Sequence, residues 1–82
     1  PFNPTVNLSF DIAQQSHVTM LVFDLLGRKI ATLLDKPMQE GHHLVQWGAM
    51  TDNGSPVPSG VYLVQVRYDN QIQSLKSITY LK

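Results

Sequence analysis

The chain reads as an all-β protein, an antiparallel sandwich of six or seven short strands. Three observations predict this. Apolar and polar residues alternate with a period of two almost throughout, as they do on strands with one buried face. No window carries a helical stripe with caps. Turn-forming clusters recur at roughly 8 to 12 residue spacing, which points to an antiparallel sandwich, with a barrel as the alternative.

Each strand can be justified in order. In "TVNLSFDI", Val6, Leu8, Phe10 and Ile12 share one face and Thr5, Asn7, Ser9 and Asp11 the other. "HVTMLVFD" places Val18, Met20 and Val22 inward, with Leu21 and Phe23 giving it an outer face apolar enough to need a covering neighbour. "LLGRK" supplies a tight turn in which Gly27 takes a positive φ, and "KIATLLD" follows as a short strand completing a hairpin. "KPMQEGHH" reads as a connection, after which "HLVQWG" points Val45 and Trp47 inward. "VYLVQVRYD" sets Tyr62, Val64, Val66 and Tyr68 on one face and Val61, Leu63, Gln65 and Arg67 on the other, and "YDNQ" turns through Asp69 and Asn70. The apolar residues of "IQSLKSITYLK" do not hold one parity, so this last strand needs a bulge or bend.

Composition limits the functions available. At 82 residues the chain is one domain, of a size that buries only roughly 60 to 65% of its unfolded surface, so a deep catalytic cleft is hard to house. With no cysteine, neither a disulfide framework nor a thiolate metal site can form. Six basic side chains balance six acidic ones and are scattered, which leaves no electrostatic footprint for nucleic acid or anionic lipid. No apolar run approaches the ~18 residues of a membrane span, so no membrane insertion is expected. The start at Pro1, with neither an initiator Met nor a leader, reads as a piece of something longer, and "PFNP" as the end of a linker.

The candidate chemistry is thin. His42 and His43 are adjacent, so on a strand they face opposite ways and cannot chelate one ion, and His17 is distant in sequence. Asp11, Asp24, Asp35, Glu40, Asp52 and Asp69 are expected at strand ends or turns, capping amides rather than forming an acid and base pair. The serines show no nucleophile-elbow spacing, and no Gly-rich loop opens a helix. No enzyme activity and no cofactor are expected.

The stretch "WGAMTDNGSPVPSGVY" is the richest in polar groups. Asp52, Asn53 and Ser55 have the chemistry to hold a cation, and Trp47 and Tyr62 to stack on a sugar. The competing reading is scaffold. Trp47 and Tyr62 fall on faces shared with valines and enter the core, Asp52, Asn53 and Gly54 turn the chain, Pro56 and Pro58 stiffen the return, and Gly60 lets the backbone bend. A carbohydrate-binding surface would then rely on Phe23, Tyr68 and Tyr80 as its exposed rings.

Separate motifs, in order, also carry a resemblance. "PFNPTVNLSFDI", "HVTMLVFDLLGRKIATLLD", "GHHLVQWGAMTDNGSPVPSGVYLVQV" and "KSITYLK" resemble the type IX secretion system C-terminal sorting domain (type A), and equally the related immunoglobulin-like module of flagellar hook-capping proteins. Phe2, Asn3 and Pro4 match the lead into the first strand, and Asp24, Gly27 and Arg28 a turn motif. Trp47, Asp52, Asn53, Gly54, Gly60 and Tyr62 match the long-loop pattern. Gly48 stands where an acidic residue is usual, which weakens a cation reading of the loop. Lys76, Ile78, Leu81 and Lys82 match the family's ending.

The resemblance implies an immunoglobulin-like sandwich of about seven strands, with residues 1–82 a single C-terminal domain excised from a larger secreted protein of the Bacteroidetes group. Its implied function is non-catalytic. It would direct an N-terminal cargo domain through the type IX outer-membrane translocon, reaching the medium or cell surface by way of the periplasm. In many family members a sortase-like peptidase removes the domain and can attach the cargo to surface lipopolysaccharide. Translocon recognition would fall on Lys76, Ile78, Leu81 and Lys82, through addition to the last strand. The alternatives are a structural module of the hook-cap type and a carbohydrate-binding accessory module.

Overall fold

A computed structural model describes residues 5–81 of the chain. Six strands follow one another: β1 (Val6–Ile12), β2 (Ser16–Phe23), β3 (Lys29–Met38), β4 (Gly41–Trp47), β5 (Gly60–Tyr68) and β6 (Gln71–Tyr80). All pairings are antiparallel. β1 and β4 form one sheet, and the other runs β3-β2-β5-β6. The sandwich is therefore lopsided, two strands over four, and has six strands among the described residues where about seven were expected.

The core follows the alternation. Leu8 and Ile12 of β1, Val18, Met20 and Val22 of β2, and Tyr62, Val64 and Val66 of β5 are buried, with Val6, Phe10, Val45 and Tyr68 packed against them. Leu21 is buried although it faces outward with Gln65, and Phe23 is half-buried beside Leu63. The extra apolar character of β2's outer face is thus met by the side chains of its own sheet.

Two strands depart from expectation because bulges reset their parity. β3 extends through Lys36, Pro37 and Met38, so the connection expected at "KPMQEGHH" shrinks to Gln39 and Glu40. Proline is tolerated there because β3 is an edge strand. Leu33 and Ile30 fall at the two register shifts, and both pack on the core. In β6 the shift sets Val66 opposite Ser74 but Arg67 opposite Ile72, leaving Gln73 as the extra residue. From Ser74 onward the even-numbered side chains then face inward, which carries Tyr80 into the core at 7% exposure. Tyr80 is therefore no candidate for an exposed ring.

The hairpin turns show why their residues are there. Gly27 adopts φ 86°, and Asp69 and Asn70 adopt φ 52° and 68°, the two left-handed positions of a primed two-residue turn that matches the sheet's twist. Asp69 also ties this turn to β2, accepting the His17 amide on Oδ1 at 2.9 Å while its own N–H donates to the His17 carbonyl at 2.8 Å.

Candidate functional site

The long connection from Trp47 to Tyr62 is closed by its own side chains. Trp47 is 3% exposed, and its Nε1–H donates to the Met50 carbonyl at 3.0 Å. Tyr62 donates its hydroxyl to the Pro58 carbonyl at 2.6 Å. The two rings meet edge to face at 5.4 Å, and Tyr80 lies 6.4 Å from Trp47. These polar tips each satisfy a loop carbonyl while the ring bodies fill the core, the usual arrangement for buried Tyr and Trp. Neither ring offers a face to a sugar.

The turn inside the connection runs from Thr51 to Ser55. Gly54 N–H donates to the Thr51 carbonyl at 2.9 Å, Thr51 N–H to the Ser55 carbonyl at 2.8 Å, and Gly54 takes φ 85°. Asp52 Oδ1 accepts the Thr32 amide of β3 at 2.9 Å, so the loop between β4 and β5 is pinned to the neighbouring sheet. Sequence reasoning placed Asp52 in a turn but did not find this link, because it joins residues twenty apart through tertiary geometry.

Two further residues escaped the sequence reading. Val57 and Ala49 are buried, and the Val57 N–H donates to the Ala49 carbonyl at 3.0 Å. A loop that looks polar in sequence therefore carries its own apolar plug. Ala49 holds this geometry at φ 58°, a left-handed conformation that costs an L residue roughly 1–2 kcal/mol. Gly60, by contrast, has no left-handed φ, and a Cβ built there meets nothing within 4 Å. The chain bends at Ser59, one residue earlier, and Gly60 opens β5 opposite Tyr80.

Asp24 organises the turn between β2 and β3. Its Oδ1 accepts the amides of Leu26 and Arg28, both at 2.9 Å, and its Oδ2 accepts Arg28 Nε–H at 2.7 Å. The Arg28 amide is the largest influence holding this carboxyl below its ordinary value. Burial opposes it, and the Arg28 side chain, the Leu26 amide and the guanidinium charge add to it. Gly27 completes the motif, its N–H donating to the Asp24 carbonyl at 3.1 Å.

Two histidines meet carboxylates across strands. His17 Nε2 lies 2.6 Å from Asp35 Oδ1, and His42 Nδ1 lies 2.8 Å from Asp11 Oδ1. Asp35 thus stands within β3, facing a histidine, and not at a strand end or turn as expected, while Asp11, next to last in β1, keeps its expected place at a strand end and also faces a histidine. His43 turns the other way from His42, stacking on Phe10 at 5.5 Å and meeting the Gln39 carbonyl at 2.7 Å. Among the described residues no three His, Cys, Asp or Glu side chains gather as a metal site would require.

The residues of the proposed ending are spread out. Lys76 is exposed on β6, Ile78 is half-buried against the core, and Leu81 is 72% exposed. Lys82 lies outside the described residues, as do Phe2, Asn3, Pro4 and the linker assigned to residues 1–4. Motif residues Asp24, Gly27, Arg28, Trp47, Asp52, Gly54 and Tyr62 each take part in a structural link described above. Asn53 sits exposed at the turn.

Two antiparallel sheets closing on one shared core, locked at one end by Trp47, Tyr62 and Tyr80, define an immunoglobulin-like β-sandwich module. A family model for the FlgD Ig-like domain matches residues 2–71, and the chain belongs to that family. The relation to the immunoglobulin-like module of flagellar hook-capping proteins is thereby established. No curated protein matches the chain.

Proposed function

We propose that this chain is a non-catalytic structural module of the hook-cap type, a rigid block that works through its strand edges and surface. Membership of the FlgD Ig-like family over residues 2–71 carries the reading. The motif chemistry agrees with it. Asp24, Asp52, Trp47 and Tyr62 direct their polar atoms at this chain's own backbone. The test is a transplant, in which the chain replaces the Ig-like segment of a hook-capping protein in a flagellated host. Electron microscopy should then show assembled hooks. A chimera that is exported and folded yet yields no hooks overturns the reading.

A second reading is favoured by β6. This strand lies at a sheet edge, begins where the family match ends, and leaves Ile72 and Leu75 61% and 56% exposed. An exposed edge suits recognition by strand addition. In this reading the chain is a sorting domain, carrying an N-terminal cargo domain through the type IX translocon to the medium or cell surface. A sortase-like peptidase would then act on it. A reporter fused to the chain should reach the surface of a type IX host, and the same fusion lacking residues 72–82 should remain in the periplasm. Surface display of the truncated fusion sinks this reading.

A further inference from the structure

At the pole of the sandwich away from Trp47, the β1–β2 connection and the β5–β6 hairpin border a pocket of about 410 Å³. The connection contributes Ala13, Gln14 and Ser16, and the hairpin Tyr68, Asp69, Gln71 and Gln73. The volume falls within the roughly 300–1,000 Å³ of ordinary ligand sites.

The frame of this pocket is fixed by bonds within the chain. Ser16 donates its hydroxyl to the Gln14 carbonyl at 2.9 Å, and Asp69 Oδ1 accepts the His17 amide, also at 2.9 Å. Tyr68 donates its hydroxyl to the Asp11 carbonyl at 2.7 Å, which anchors the half-buried ring to β1. The side-chain amides of Gln14, Gln71 and Gln73 are the opposite case. All three are exposed, and none bonds to another described residue. The bulge in β6 explains how two of them share a wall: Gln71 stands opposite Tyr68 and Ile72 opposite Arg67, and the extra residue, Gln73, brings a second amide to the pocket.

A fixed ring beside three uncommitted amides favours one ligand chemistry. Each glutamine amide sets two donors beside an acceptor, the complement of neighbouring hydroxyl groups, which both donate and accept. The tyrosine ring supplies an apolar surface for the C–H face of a pyranose. Asp69 is the only charged side chain in the lining, and one of its oxygens is already engaged. An anion would meet that carboxylate with no basic side chain in the lining to balance it, and a divalent cation would gain too little charge from a single carboxylate. An extended peptide is a poorer fit, because its side chains would find no apolar contact beyond Tyr68 and Ala13.

We infer that this pocket binds a neutral saccharide, with one pyranose ring packed on Tyr68 and its hydroxyls bonded to Gln14, Gln71 and Gln73. Because Ser16, Tyr68 and Asp69 are held in place beforehand, little of the frame has to be ordered on binding. The site lies apart from the family's motif residues and does not depend on either reading above.

The test titrates the protein with cellotriose, mannotriose and di-N-acetylchitobiose at millimolar concentration and follows side-chain signals by NMR. At least one sugar should saturably shift the Gln71 and Gln73 amides, with nuclear Overhauser effects joining its C–H protons to the Tyr68 ring. Gln71→Ala combined with Gln73→Ala should weaken that affinity about tenfold, as the loss of two hydrogen bonds requires, while thermal unfolding shows the variant folded. Gln14→Ala, on the separate β1–β2 connection, should weaken it by a smaller factor and serves if the double variant does not fold. Three outcomes overturn the inference: no saturable shift with any of the sugars, sugar contacts to a ring other than Tyr68, or affinity undiminished in the folded glutamine variants. Equal shifts with glycerol or with acetyl-triglycine amide assign the amides to polyols in general or to a peptide backbone, and also overturn it.

Discussion

The Asp52 carboxylate accepts the Thr32 amide at 2.9 Å, joining the β4–β5 connection to the edge strand β3 across the sandwich. Replacing Asp52 by Ala leaves that amide to solvent and should cost about 0.5–1.5 kcal/mol in urea unfolding. The substitution Asp52→Asn keeps an Oδ1 acceptor at this position and should recover most of the loss. Faster exchange of the Thr32 amide in the Ala variant alone would locate the effect.

Glycines 54 and 60 should respond oppositely to the same substitution. Gly54→Ala forces an L residue to φ 85° and should destabilise the protein by roughly 1–2 kcal/mol. Gly60→Ala meets open space at an ordinary φ and should leave stability unchanged or raise it by up to ~1 kcal/mol, by restricting the unfolded chain. Paired thermal melts check both, and equal losses would contradict the geometry.

The β5–β6 turn is not at its optimum. Asn70 sits at φ 68° in a primed turn, where glycine is the preferred second residue. Asn70→Gly should stabilise the fold by about 0.5 kcal/mol in thermal or urea unfolding, a modest gain because Asn tolerates this region better than other side chains. Asp69 should not be altered alongside it, since its carboxylate holds the His17 amide.

Acid sensitivity should centre on Asp24. Its folded-state value lies below the ordinary 3.8, so its contribution is fully present above that value and is lost as pH falls through the folded value. Asp24→Asn removes this dependence. The variant should be less stable than the parent at neutral pH, and the difference should narrow below about pH 4. A gap that stays constant into strong acid would show that the carboxylate's charge is not involved.

Alkali should act through two tyrosines. Burial raises the Tyr62 hydroxyl above its ordinary 10.0, with the Asp24 charge and Tyr80 adding to it. Burial likewise raises Tyr68, with help from Asp11. A raised folded value means stability is present below the unfolded value and lost as pH rises through the folded one. Tyrosinate absorbance should therefore appear at higher pH in folded protein than in urea, and Tyr62→Phe should remove part of that difference.

Strand parity was legible wherever no bulge intervened. Val6, Leu8, Phe10 and Ile12 could be placed from spacing alone, as could Trp47, Tyr62 and the Gly27 turn. Where an extra residue enters a strand the period-two signal inverts, and that hid both the reach of β3 through Pro37 and the inward turn of Tyr80. Burial of Val57 and the Asp52–Thr32 bond arise from segments meeting across the sandwich, and no local pattern encodes them.

The aromatic cluster has one more consequence. Val6, the first residue of β1, lies opposite Trp47, and Tyr80, the last of β6, sets its ring 6.4 Å from the same indole. Both ends of the strand array thus emerge at one pole of the molecule. A module with its way in and way out side by side can be spliced into a surface loop of a host protein without prising that loop apart.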